Sequence, residues 1–118
     1  MTDSPEKSLG TMPPDRIRFT QRSISYRFRD GRPIGDLADG LKSGSVIPET
    51  VPPIRVFELD GKYCTLDNRR LEAFRRAGVN IPYRMASAAE VAEADWKFSS
   101  KNDGASIRVR GEVNERPI

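Results

Sequence analysis

Two adjacent arginines, Arg69 and Arg70, follow Asp67 and Asn68 in the stretch TLDNRRLEAFRRAGVNIPYRM, residues 65–85. The residues before them read as an apolar strand and those after as an amphipathic helix. The pair therefore stands at a helix start, where unpaired backbone N–H groups and the helix dipole favour an anion. Adjacent guanidiniums on a helix diverge by about 100°, which suits two phosphate oxygens, or two neighbouring phosphates, better than one flat carboxylate. The dipole disfavours positive charge at this end, so the placement is locally costly and marks Arg69 and Arg70 as functional candidates. Asp67 is the leading carboxylate to orient the pair or to hold a metal. Glu58, Asp60 and Asp103 are weaker candidates, since an exposed strand position accounts for the first and turns account for the other two.

The chain has no histidine and one cysteine, Cys64. Ser/His and Cys/His nucleophile systems are thereby excluded, as are an internal disulfide and a cysteine-rich zinc site. Proton transfer falls to Asp, Glu, Lys, Tyr or a metal-bound water. A nuclease built from these residues would use carboxylates, Asp67 first, to hold Mg2+, a hard cation that polarises phosphate and activates water. Neither an HExxH motif, a Walker loop nor a GxGxxG fingerprint occurs. Cys64 alternates with residues of an apolar strand and is expected to be a small buried hydrophobe.

The longer run PPIRVFELDGKYCTLDNRRLEAFRRAGVNIPYRM resembles the core of the ParB/sulfiredoxin superfamily. In that family a PPI strand and hairpin precede a GERR or GxHR signature, which is followed by a helix with small apolar residues, a glycine and a closing strand. Asp67, Asn68, Arg69 and Arg70 fall on the signature, with Leu71, Ala73 and Gly78 at the matching offsets. The resemblance implies that Arg69 and Arg70 bind the phosphates of nucleotides or nucleic acid, with Asn68 beside them. Two features depart from the pattern: Asp67 replaces the leading glycine, and Asn68 stands where sulfiredoxin has its reactive cysteine, so sulfiredoxin chemistry is not implied. The TLDNRRL variant is also similar to domains at the C-terminal tips of bacterial polymorphic toxins, which are delivered into competitors and attack nucleic acids or nucleotides.

Charge supports the same ligand class. Net charge is only +3, but 15 of the 20 basic residues are arginine and they cluster. Arg16, Arg18, Arg22, Arg27, Arg29 and Arg32 stand against Asp30 alone, and Arg69, Arg70, Arg75, Arg76 and Arg84 against Glu72. Two such segments can form one phosphate-binding face, because the guanidinium fork grips phosphate oxygens bidentately and stacks on bases. Arg18 belongs to the first segment. Arg108 and Arg110, which would share one face of a late strand, are expected to extend the surface.

Patterning along the chain predicts an α+β fold: a small mixed sheet with a hairpin and two to three helices. Residues 1–14 read as a leader without structure, residues 15–112 as a single basic domain and residues 113–118 as a flexible tail. Ile17 and Phe19, then Ile24, Tyr26 and Phe28, alternate as two short strands or one hairpin. Ile34, Leu37 and Leu41 mark a helix that stops at Gly44. Asp60-Gly61 turns the clearest hairpin, and Asp67 or Asn68 is expected to cap the helix that buries Leu71 and Phe74. Arg75 and Arg76 then meet the favourable end of the dipole. Ser87 and Glu90 form a capping box for a helix running toward Trp96, and Trp96 and Phe98 are expected in the core. The polar segment after them would complete the site if it folds back on the Arg69-Arg70 end.

The reading that follows is a toxin-like effector acting on nucleic acid or a nucleotide through an arginine clamp, with metal-assisted phosphodiester cleavage as its reaction. Alternatives are a non-enzymatic DNA-binding or nucleotide-gated module, an ADP-ribosyltransferase, for which no Glu-x-Glu pair is present, and a domain whose basic face meets an acidic immunity protein. No apolar run approaches the roughly 18 residues of a membrane helix, so no membrane partner is expected. Single-cysteine usage points to a reducing, cytoplasmic site of action, reached by delivery from another cell if the chain is a toxin.

Overall fold

In a computed structural model, which describes residues 8–100 and 102–112, the chain forms β1 (Gly10–Met12), β2 (Ile17–Arg18), β3 (Ser23–Ser25), α1 (Ile34–Ser43), β4 (Ile54–Leu59), β5 (Lys62–Thr65), α2 (Asn68–Ala77), β6 (Ile81–Met85), α3 (Ala88–Ala94) and β7 (Arg108–Arg110). The fold is α+β, as the patterning predicts. Asp60 and Gly61, with φ of 53° and 77°, make the tight turn between β4 and β5 that matches the twist of the two strands. Helices α1 and α2 end at Gly44 and Gly78, and α3 opens with both bonds of the Ser87–Glu90 capping box.

Five strands make a mixed sheet in the order β1-β6-β4-β5-β2. The outer pairs differ: β1 runs antiparallel to β6, whereas β2 runs parallel to β5. Ile17, Ile54, Val56 and Ile81 of this sheet meet Leu41 of α1 and Leu71 and Phe74 of α2 in the main core. A second cluster, Ile24, Ile34, Ala38 and Ala73, lies under the two-stranded parallel sheet of β3 and β7. Leu37 and Ile107 pack against both clusters and join them.

Several expectations change. Gly10–Met12 is not leader but an edge strand paired with β6, and Pro14 is buried. Backbone pairing at an edge needs little apolar periodicity, which is why the polar sequence there hides a strand. Residues 1–7 and the expected tail, 113–118, lie outside the described residues. Of the two arrangements expected for residues 17–28, two short strands form and a hairpin does not, because β2 and β3 join different sheets through partners 46 and 85 residues away in sequence. Trp96 is 76% exposed, with Lys97 over its ring, while Phe98 stacks on Phe57 at 5.5 Å between centroids. Phe98 is half-buried against Phe57 and belongs to neither core cluster, so neither aromatic is a core residue. Cys64 is buried as expected, and burial pushes its thiol pKa up.

The segment after α3 does fold back. The backbone N–H groups of Ser99 and Ser100 donate to the Thr20 carbonyl, and that of Phe19 donates to Gly104. Gly104 takes φ of +72°, and a Cβ there would lie 2.3 Å from the Phe19 carbonyl oxygen, so the closeness of these two segments requires glycine.

Candidate functional site

The start of α2 is held from two sides, and neither hold is a conventional cap. Asp67 occupies the N-cap position, but its side chain makes no capping hydrogen bond. Its Oδ2 instead accepts from the Arg55 backbone N–H at 2.7 Å and from Arg55 Nε at 3.1 Å, and its Oδ1 accepts from Arg55 Nη2 at 2.8 Å. Arg70 adds an ion pair from Nη2 to the same Oδ1 at 3.1 Å. Burial by itself would raise the Asp67 pKa; the hydrogen bond from the Arg55 side chain, then the charge of Arg70 and the Arg55 backbone bond, outweigh it and hold the carboxyl below the usual aspartate range. The Arg55 pKa rises in turn, first through its hydrogen bond to Asp67.

This ion pair belongs to a chain of charges. Arg55 also lies 3.6 Å from Glu90, whose two carboxylate oxygens accept from Arg84 at 3.0 and 2.8 Å. Arg70, Asp67, Arg55, Glu90 and Arg84 thus tie the start of α2 to β4, β6 and the start of α3. The Glu90 carboxyl is lowered to about 2 by the Arg84 hydrogen bond and then by the Ser87 backbone N–H. Arg70 is further anchored on the proline pair before β4, donating from Nη1 to the Pro52 carbonyl at 2.6 Å and to that of Pro53 at 3.2 Å.

On the opposite side, Asn68 is buried. Its Oδ1 accepts from the Thr20 backbone N–H at 2.9 Å and its Nδ2 donates to the Thr20 hydroxyl at 3.0 Å, while that hydroxyl donates to the Thr65 carbonyl at 2.8 Å. The expected phosphate ligand and cap is therefore a strut between the loop after β2 and the start of α2. Both ends of its amide are satisfied internally.

Arg69 differs from its neighbours. Among the described residues its guanidinium forms no ion pair, and its Nε is the one buried side-chain nitrogen or oxygen without a hydrogen-bond partner. A buried polar atom left unmatched is rare and costly enough to require an explanation. One helical turn separates Arg69 from Ala73, which places Arg69 on the side of α2 that packs against the second cluster and β3.

The outlying candidates divide in the same way. Arg18 donates from Nη1 to the Asp103 carbonyl at 3.3 Å and lies 3.9 Å from its carboxylate, which Lys62 also binds. Arg108 and Arg110 are exposed on either side of Val109 on β7, sharing one face as the alternation predicts. Arg75 spans Pro14, Ile17 and Ala105 through their carbonyls and stacks 4.6 Å over Phe19, and Arg76 pairs with Glu72 and Glu112, so both serve the fold. Glu58 and Asp60 are exposed on the hairpin.

Around α2 the carboxylates are engaged by arginine. Both Asp67 oxygens are held by arginine, and no group of three His, Cys, Asp or Glu side chains converges among the described residues. Sequence reading missed Arg55. Its position opposite Ile54 and Val56 on β4, facing away from the main core, was the available signal. Comparison with known proteins yields no match: no family model, no curated protein and no solved structure is similar to this chain.

Proposed function

We propose that the chain is a toxin-like effector domain of the ParB/sulfiredoxin type that acts on nucleic acid or a nucleotide, with Arg69 as its principal phosphate ligand. The observation that carries this reading is the contrast at the start of α2: Arg70 is bound to Asp67 and two carbonyls, whereas Arg69 has an unmatched buried donor on a helix start without a side-chain cap. The Arg69 Nη groups, which have no ion-pair partner among the described residues, offer their donors to a phosphate, and the backbone N–H groups of the first turn favour the same anion. The order of hairpin, arginine pair, helix, glycine and closing strand supports the family likeness. Asp67 acts in this scheme as a positioning residue that fixes Arg70 and the strand–helix junction.

Phosphodiester cleavage is the reaction such an effector would run in the cytosol of a target cell, with an acidic immunity protein as the partner that masks the basic face. A second reading, a non-enzymatic nucleic-acid or nucleotide-gated module, is favoured by the engagement of both Asp67 oxygens, which leaves that carboxylate without a free role in proton transfer or metal binding. The purified domain and Arg69→Gln are to be incubated with plasmid, total RNA and a nucleotide panel including NAD, with magnesium and with EDTA. Turnover of nucleic acid or nucleotide by the wild type alone, at equal thermal stability, is the expected result. Salt-sensitive binding without turnover establishes the module, loss of NAD the transferase, and equal behaviour of wild type and Arg69→Gln removes Arg69 from the site.

A further inference from the structure

An open groove of about 320 Å3 lies between the loop after β2 and the segment leading into β7, lined by Arg22, Asn102, Ser106, Ile107 and Arg108. None of the five is acidic. Arg22 and Arg108 are both exposed, and among the described residues neither side chain makes an ion pair or an internal hydrogen bond. The backbone N–H of Arg108 donates to the Arg22 carbonyl at 3.0 Å, so the two residues are held side by side although 86 positions apart in the chain. Asn102 donates to Ser106 Oγ at 2.8 Å, which uses one of its two amide protons and leaves the Ser106 hydroxyl proton free to point elsewhere. The nearest acidic group in sequence, Asp103, is bound to Lys62 and Arg18. The groove therefore offers two guanidiniums, an amide proton and a hydroxyl proton, all donors, over the apolar Ile107.

The position of the groove adds to its chemistry. Asn68, next to Arg69, bonds to Thr20, and two residues of chain reach at most about 7 Å, so Thr20 places Arg22 close beside the start of α2. Ser99, Ser100 and Gly104 are fastened to the same loop through Thr20 and Phe19.

We propose that this groove is a second phosphate subsite, separate from Arg69, and that the ligand of the domain is a single nucleic-acid strand whose successive phosphates occupy both. The proposal rests on the phosphate reading of Arg69 for its first contact. A free mononucleotide reaches only one subsite, whereas a strand reaches both and lays a base or sugar over Ile107.

The test measures binding of a labelled single-stranded DNA dodecamer, the RNA dodecamer and a nucleoside monophosphate across a salt series, for the wild type, Arg69→Gln and the double variant Arg22→Gln/Arg108→Gln. Circular dichroism and melting temperature check each fold, and both groove arginines are exposed and unpaired among the described residues, so the double variant is expected to fold as the wild type does. The double variant should lose about ten-fold or more in dodecamer affinity and reduce the salt slope by about 1.4, the share of two phosphate contacts on a single strand, while leaving monophosphate binding unchanged. Arg69→Gln should weaken all three ligands. An unchanged salt slope and affinity in the double variant overturns the groove even where Arg69→Gln shows its effect. Loss confined to the double variant keeps the groove and removes Arg69 instead, and absence of binding by the wild type removes both. Displacement of the dodecamer by polyglutamate as readily as by unlabelled oligonucleotide overturns the nucleic-acid assignment in favour of an acidic protein partner.

Discussion

The two flanks of α2's first turn use the same residue type for opposite ends. On one flank Arg70, Arg55 and Arg84 are paired with Asp67 and Glu90 in an unbroken alternation of charge that joins four elements. On the other, Arg69, Arg22 and Arg108 have no carboxylate partner among the described residues. A paired arginine contributes by satisfying buried acceptors, so its removal is felt in folding. An unpaired arginine adds little to folding and holds its donors for a ligand. Density of arginine along the chain does not distinguish the two.

The largest expected effect comes from breaking the paired flank at its centre. Asp67 is 10% exposed and carries Arg55 and Arg70, so Asp67→Ala leaves two guanidiniums facing one another and is expected to cost about 3 kcal/mol, the lower end for a buried pair because Arg55 remains partly solvated. Urea unfolding midpoints measure it, and a loss below about 1 kcal/mol would show that the network is solvated and replaceable.

A smaller effect follows from pH. The Glu90 carboxyl is held at about 2 in the fold against 4.5 ordinarily, so it binds its proton more weakly folded than unfolded. Its stabilising share is fully present above the unfolded value and is lost as pH falls from about 4.5 toward 2; the lowered Asp67 pKa acts in the same direction. Unfolding midpoints of the wild type should therefore fall through that window. In Glu90→Gln the decline should be shallower, and identical profiles would detach Glu90 from acid stability.

The smallest expected change in stability sharpens the comparison from the other side. Arg69→Gln removes a buried Nε that no acceptor matches in the fold, so it is expected not to lower the unfolding free energy and to raise it by at most about 1 kcal/mol. A melting temperature clearly lowered in Arg69→Gln would place Arg69 with the paired flank and blur the contrast between the two.

Those features whose causes lie within a few residues were legible in the sequence. Asp60-Gly61 specifies its hairpin through positive φ, Ser87 and Glu90 cap α3 by reaching three residues, and Leu71 and Phe74 share one face of α2 by helical spacing alone. The alternation around Val109 likewise placed Arg108 and Arg110 together on an exposed face. Tertiary structure alone decided the partners. Asn68 reads as a cap or ligand until Thr20, 48 residues earlier, takes both ends of its amide. Asp67 reads as a cap or metal ligand until β4 brings Arg55 against it, and the adjacent Arg69 and Arg70 are equivalent until one meets Pro52 and Pro53 and the other meets no acceptor. The physical reason is range: turns, caps and helical faces depend on backbone angles and neighbours a few residues away, whereas the occupant of a guanidinium's donors depends on which distant strand and loop the packed core delivers to it.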